Sequence, residues 1–298
     1  MSAAGHRLGV LFATLGAVGF SFKAILIKLA YPYGVDAVTL LALRMGFSLP
    51  FFVAIGWADA RRRQPAALGG RDVLLLLGLG TSGYYLASYL DFLGLQYISA
   101  ALERLILFSY PTLVVVFSAL FLGKPITRRA LGSIALCYLG IGLAVAHDLN
   151  VAGSGRDVWI GGGLVFASAV SYAVYLMGNG QAVGRLGAAR VTAWASSAAC
   201  VLCLVHFALT RPVCLLVQPA PVLAMAAAMA IFCTVLPVWL VSEAMRRLGA
   251  GPVSLIGTLG PVVTLFLGWL ILAEPIGLFQ IVGGALVVAG VLRVGKRG

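Results

Sequence analysis

Charge is scarce in this chain. Asp, Glu, Lys and Arg together make up 10% of its 298 residues, and only nine residues are acidic. A soluble domain is about a quarter charged, so too few charges are present to wet the surface of one. No stretch is polar enough to fold as a separate soluble domain. The sequence offers no His/Asp cluster, no acidic pair at a turn and no ATP-binding motif, so cofactors and metals are not expected. Five cysteines, Cys137, Cys200, Cys203, Cys214 and Cys233, lie mostly inside apolar spans. Cys200 and Cys203 have CxxC spacing without flanking charge and read as small apolar packing.

Apolar residues are abundant: 61% of the chain is hydrophobic and the mean hydropathy is +1.05. These values describe a polytopic membrane protein. A net charge of +12 would suggest nucleic acid in a soluble protein, but membrane topology accounts for it here and no nucleic-acid partner is expected. A bilayer is crossed by about 20 apolar residues, and ten spans are expected near 8–30, 37–57, 73–96, 100–122, 129–147, 158–179, 190–209, 221–245, 251–272 and 277–294. The first, behind His6 and Arg7, is long enough to span and lacks a small-residue cleavage site, so it reads as a helix rather than a signal peptide. No lipidation motif is seen. Turns fall at Tyr31–Gly34 and Gly123–Pro125. Gly153–Gly155, with Asp148, Asn150, Arg156 and Asp157, reads as the link between two halves.

The chain repeats itself at a shift of 150 residues. Ala100 falls on Ala250, Pro111 on Pro261, Pro125 on Pro275 and Gly140 on Gly290. Ser21-Phe22 falls on Ser171-Tyr172, and Tyr89-Leu90 on Trp239-Leu240. The expected units are residues 1–147 and 158–298, five helices each. Fifteen basic residues lie at one set of ends: Arg7; Arg61, Arg62, Arg63 and Arg71; Lys124, Arg128 and Arg129; Arg185 and Arg190; Arg246 and Arg247; Arg293, Lys296 and Arg297. Three, Lys28, Arg156 and Arg211, lie at the other. The positive-inside rule then places both termini in the cytoplasm. Five is odd, so the second unit enters from the opposite side and the repeats are inverted, an architecture of secondary transporters with a site near the midplane.

Each half closes on the same signature. A small-residue entry (Ser99-Ala100-Ala101, Gly249-Ala250-Gly251) leads to a mid-helix proline, a Gly-Lys-Pro or Ala-Glu-Pro turn and a glycine-rich last helix. In this signature, in its ten spans and in Arg44 of the second span, the chain resembles the EamA type of the drug/metabolite transporter superfamily. The resemblance covers nearly the whole chain. It implies export of amino acids, other metabolites or drugs, through a cavity lined by the first, third, fourth, sixth, eighth and ninth helices. Lys124 departs from the acidic residue usual in that turn, which Glu274 retains.

Two enzyme-like motifs are set aside. Gly78–Gly83 matches GxGxxG inside a span, without the strand a dinucleotide fingerprint needs, and reads as close helix packing. The same residues hold a GxSG with Ser82, for which His206 would be the partner base; that reading leaves the repeat unexplained. Glu243, three and four residues before Arg246 and Arg247, reads as an intrahelical ion pair.

The intramembrane charges Lys23, Arg44, Asp91, Glu103 and Arg104 are costly unless paired or wet. Their images at 173, 194, 241, 253 and 254 are Ala, Trp, Val, Val and Ser, so the cluster belongs to one half and, by the topology, to the outer half of the bilayer. Asp91 or Glu103 is expected to neutralise Lys23, Arg44 or Arg104; the plainer alternatives are a gate-closing ion pair or snorkelling to the surface. Polar faces are expected at Thr81, Tyr84, Ser88 and Asp91 in the third span, at Ser168, Ser171 or Tyr172, Tyr175 and Asn179 in the sixth, and at Ser254, Thr258 and Pro261 in the ninth, whose image is Arg104, Phe108 and Pro111. The expected substrate-binding set is Lys23, Ser21, Tyr84, Ser88, Asp91, Phe108, Ser171, Tyr172, Tyr175, Asn179, Trp239 and Thr258. Asp91, Glu103 and Arg104 are the expected gate or proton-coupling groups, and Pro111 and Pro261 the expected hinges. The sequence thus points to an all-α, ten-helix inner-membrane exporter of small metabolites, amino acids or related amphipathic solutes, by alternating access, either proton-coupled or facilitative, with any driving force taken from a gradient. It is not expected to be an enzyme; the alternative is a membrane-embedded enzyme acting on a lipid-linked substrate.

Overall fold

The computed structural model describes residues 3–62, 68–123, 125–151 and 154–295. Arg63, Lys124, Gly153, Lys296 and Arg297 lie outside the described residues, as does the side chain of Ser254. Among the described residues there is no strand. Ten helices follow one another: α1 Ala3–Ala30, α2 Ala37–Arg62, α3 Gly70–Gly94, α4 Ala100–Leu122, α5 Arg128–Val151, α6 Gly155–Leu186, α7 Ala188–Thr210, α8 Ala220–Leu248, α9 from Ala250–Gly257 into Leu259–Leu272, and α10 Leu278–Gly295. Nine are long and apolar enough to cross a bilayer, and the tenth expected span is the shorter apolar helix Leu278–Arg293.

The helix breaks have local causes, and they recur. α3 and α8 each open into a π turn, at Gly80–Leu86 and Ile231–Val235. α4 breaks at Phe108–Ser109, where the Ser109 amide bonds Ile106 rather than Leu105; α9 breaks at Thr258, whose amide bonds Leu255. Three residues past each break's start stand Pro111 and Pro261, which have no amide to complete the helical ladder. The last turn of each of these helices closes on a left-handed residue, Gly123 (φ 63°) and Ala273 (φ 53°). Every one of these irregularities has its partner 150 residues on, within a residue or two.

Packing follows the same arithmetic. α1 packs on α8 and α9, α6 packs on α3 and α4, α2 runs along α7, and α5 runs along α10. In the last pair small residues meet: a side chain at Gly140 would strike the Gly283 carbonyl, and one at Gly290 would come within 2.9 Å of the Ser133 carbonyl. Since 140 maps to 290 and 133 to 283, each contact is the image of the other. Cys137 Sγ donates to the carbonyl of Val287, its own image, at 3.6 Å. Reciprocal contacts of this kind are what a two-fold relation produces.

The four polar residues expected in the link lie in helices instead: Arg156 and Asp157 open α6, and Asp148 and Asn150 lie in the last turns of α5, where Asp148 is buried. Its carboxylate accepts from the Ser99 hydroxyl (2.8 Å) and from Gln280 Nε2 (3.0 Å), so burial is compensated by hydrogen bonds. The sequence placed Asp148 in a loop because a carboxylate closing an apolar span usually marks the water boundary.

Candidate functional site

Ser21 and Lys23 on α1, Asp91 on α3 and Glu103 on α4 meet in the interior. Lys23 Nζ donates to Asp91 Oδ2 at 2.6 Å and stands 3.8 Å from Glu103 Oε1. Asp91 and Glu103 are buried, while the Lys23 side chain keeps 15% of its exposure. One ammonium therefore serves two carboxylates. Asp91 Oδ1 and both Glu103 oxygens have no hydrogen-bond donor, an arrangement costly in an apolar interior.

Of the three bases that could neutralise these acids, Lys23 is the one that does. Arg44 and Arg104 are held by other groups. Arg44 donates through Nε to Thr234 Oγ1 at 3.1 Å, in the π turn of α8, and its guanidinium lies 5.5 Å from the Phe92 ring centre. Thr234 can reach because the π turn redirects it, and its own hydroxyl donates to the Met229 carbonyl, five residues back. Arg104 stands 5.3 Å from the Phe108 ring centre and packs against Gly260 of α9. Snorkelling is excluded for this pair by burial: Arg104 keeps 9% exposure and Glu103 none. Ser21, fully buried, has its hydroxyl on the carbonyls of Ala17 (2.8 Å) and Gly260 (3.2 Å). The charged cluster thus sits where the broken stretches of α4 and α9 approach each other, beside Pro261.

From Arg104 an aromatic ladder runs along α4, α6 and α3. Phe108 meets Tyr110 (5.9 Å between ring centres), Tyr110 meets Tyr172 (5.1 Å), Tyr172 stacks on Tyr175 (5.5 Å), and Tyr175 meets Tyr84 (5.2 Å). The Tyr84 and Tyr175 hydroxyls are 3.1 Å apart. Tyr110 was not in the expected set; standing one residue before Pro111, it was hidden by that proline. The expected polar face of α3 is split by its π turn, which breaks the 3.6-residue period. Tyr84 consequently faces α6, and Asp91 faces α1.

Several expected hydroxyls are already engaged. Ser168 donates to the Ala87 carbonyl (2.7 Å), Ser171 to that of Ser82 (2.8 Å) and Thr258 to that of Leu255 (2.6 Å), as serines and threonines in membrane helices commonly do. Ser88 and Asn179 are half-buried. Trp239 is exposed, its ring 5.8 Å from that of Phe12, away from the ladder's chain of contacts. Ser82 donates to the Gly78 carbonyl, and His206 Nδ1 meets the Tyr85 hydroxyl at 2.8 Å, so they do not form a nucleophile and base. Glu243 binds Arg246 (2.6 Å) and Arg247 (2.5 Å), as its spacing predicts.

A second polar cluster closes the end of the bundle where α3 meets α4. Glu274, in the turn after α9, accepts from the backbone amides of Ala100 (2.9 Å) and Ala101 (3.4 Å). It thereby caps the positive N-terminus of α4, alongside Ser99, whose hydroxyl accepts from Leu102 N at 3.0 Å. Burial pushes the Glu274 carboxyl above its ordinary value, with the two amides and Lys28 pulling the other way. Lys28 Nζ donates to the Ile98 carbonyl at 2.8 Å. A cavity of about 130 Å³ lies beside them, lined by Ser99, His147, Asp148, Glu274 and Gln280 among others. At the N-terminus of α9, the image position, Gly249 gives no side-chain cap.

Comparison with known proteins agrees with this architecture. The EamA-like transporter family matches residues 7–146 and 159–295. Two relatives from Bacillus subtilis (strain 168) are similar: "Uncharacterized transporter YcbK", 29% identical over 92% of this chain and 88% of its own length, and "Uncharacterized transporter YyaM", 28% identical over 74% and 73%. A solved structure described as "Crystal structure of protein" shares the fold, with a TM-score of 0.62 at 19% identity, covering 96% of each chain. The multi-pass architecture and the two family matches, which together span most of its length, settle the class: the chain belongs to the EamA-like transporter family, a membrane-embedded transporter of small molecules.

Proposed function

We propose that the protein exports small amphipathic solutes, amino acids or close relatives, across a bacterial-type inner membrane by alternating access. The observation that carries this reading is the sharing of Lys23 between Asp91 and Glu103. A solute carboxylate is a third acceptor for the same ammonium, and its arrival would displace Asp91. The aromatic ladder Phe108, Tyr172, Tyr175 and Tyr84 offers apolar faces to the solute's side chain, with Ser88 and Asn179 at hand for its polar groups. Glu103, with no hydrogen-bond donor, is the proton carrier: it takes a proton when Lys23 is drawn to the solute and returns it when the salt bridge reforms. Arg104 and Asp91 hold the gate around it.

The moving parts are residues 1–147 and 158–298, taken as inverted repeats with both termini cytoplasmic. The reciprocal α5–α10 contacts and the matched breaks support this, and the basic residues of the sequence set the orientation. Pro111 and Pro261 act as hinges because each leaves a carbonyl unbonded one turn back. A tolerance screen tests the reading: cells overproducing the protein are challenged with toxic amino acids and analogues, and the solute they newly tolerate is assayed in proteoliposomes with and without an imposed pH gradient. The Asp91→Asn/Glu103→Gln variant is expected to lose export and its pH dependence. Unchanged export, with unchanged pH dependence, would refute the coupling role.

A further inference from the structure

A cavity of about 370 Å³ lies outside the central site, between the end of α2 and the start of α7. Its floor is apolar, formed by Phe52, Val53, Gly56 and Ala193. The concavity exists because small residues face each other there: a methyl at Gly56 would come within 3.3 Å of the Ala193 side chain. Trp57 and Trp194 form the walls and remain 59% and 53% exposed. From Phe52 to Ala60 the groove runs about 12 Å along α2 at 1.5 Å per residue.

The mouth is charged. Arg190 lines it, and the exposed Arg61 lays its guanidinium 3.7 Å over the Trp57 ring. Asp59 contributes one negative charge against these positive ones. Interfacial tryptophans and arginines occur at span ends generally, but that tendency does not call for a walled cavity beneath them. An apolar slot opening on a basic rim matches a ligand with an acyl chain and an anionic head.

We propose that the groove between α2 and α7 binds one anionic phospholipid, its chain against Phe52 and Gly56 and its phosphate at the exposed Arg61. The site is independent of the transport reading, since Lys23, Asp91 and Glu103 are not among the residues that line it.

The test uses the full chain in a neutral detergent with three probes: phosphatidylglycerol, phosphatidylcholine of the same chains, and glycerol 3-phosphate. Native mass spectrometry counts bound lipid, and thermal unfolding follows stabilisation. Phosphatidylglycerol is expected to be retained in a one-to-one complex and to raise the unfolding temperature above that in phosphatidylcholine. Arg61→Gln should weaken its retention about fivefold, the weight of one arginine near an anionic headgroup, and Gly56→Phe should abolish it by filling the slot. Trp194→Ala, which leaves the helix contact at Gly56 intact, should also lower retention and serves if Gly56→Phe does not fold. Equal retention of the two lipids overturns the proposal, and so does retention that survives in folded Gly56→Phe or Trp194→Ala. Stabilisation by glycerol 3-phosphate alone would show a free-anion site instead. A dimer that Gly56→Phe dissociates would assign the groove to a second copy.

Discussion

Removing the Lys23 ammonium while keeping its stem, as in Lys23→Met, is the sharpest perturbation of the interior. The nitrogen is 2.6 Å from Asp91 and 3.8 Å from Glu103. Coulomb energy scales inversely with distance, so Asp91 receives roughly one and a half times the attraction that Glu103 does. Without Lys23 two buried carboxylates face each other with no cation between them. Breaking a buried pair on one side costs about 3–5 kcal/mol, which in a chain of this size is an unfolding-temperature drop on the order of 10 °C. Lys23→Met/Asp91→Asn removes the stranded charge as well as the ammonium and should recover more than half of that loss. Lys23→Met/Glu103→Gln should recover less, because Glu103 depends on Lys23 less. The assay is a double-mutant cycle by thermal unfolding in one detergent at neutral pH. A Lys23→Met protein within about 1 °C of wild type, which corresponds to well under 1 kcal/mol, would refute the shared-ammonium argument. Equal rescue by the two double variants would refute the ranking by distance.

Other consequences can be measured alongside. Glu274→Ala should cost about 1–2 kcal/mol, since it uncaps the Ala100 and Ala101 amides. Because the Glu274 carboxyl lies above its ordinary 4.5, the folded state holds its proton more tightly than the unfolded one. Its contribution is complete below pH 4.5 and declines as pH rises through the raised value; this slope in chemical denaturation should vanish in Glu274→Gln. Asp36 has the opposite sign. Burial works against its charge, but the Thr39 hydroxyl and amide, Arg211 and the Val38 amide together hold it below 3.8. Asp36→Asn keeps the cap's shape and loses its charge at the N-terminus of α2, so it should cost about 0.5 kcal/mol at neutral pH, and the difference from wild type should fade as pH falls below 3.8. Gly140→Ala should destabilise by more than 1 kcal/mol by driving a methyl into the Gly283 backbone. Gly142→Ala, with nothing within 4 Å of the new methyl, should be neutral or stabilising, since alanine is the better helix former.

The helices and their ends were legible because a bilayer imposes one length scale, and because glycine and proline mark where it is interrupted. The repeat was legible because Pro111 and Pro261 stand at one spacing in helices that cannot hide a missing amide. The π turns were not. Gly80–Leu86 and Ile231–Val235 share no residue pattern that separates them from ordinary helix, yet they decide that Thr234 reaches Arg44 and that Tyr84 and Asp91 look in different directions. The charged triad was half legible. Three residues could be nominated from their cost in an apolar span, but which acid met which base depended on helix rotation, and Arg44 and Arg104 were resolved by a hydroxyl and a ring. Glu274 was noted for its motif alone. Its role as a cap on a helix 174 positions earlier in the chain rests on a long-range contact that local spacing does not carry.

The seam between α5 and α10 has a consequence for which substitutions the two helices tolerate together. Cys137 rests on Val287, its own counterpart, and the Gly140–Gly283 contact is repeated as Gly290–Ser133. Because each contact has its image, an enlargement on α5 and the matching enlargement on α10 press on the same seam from opposite sides and compete for one space. With a glycine carbonyl already within reach of a methyl at Gly140, neither helix has room to yield.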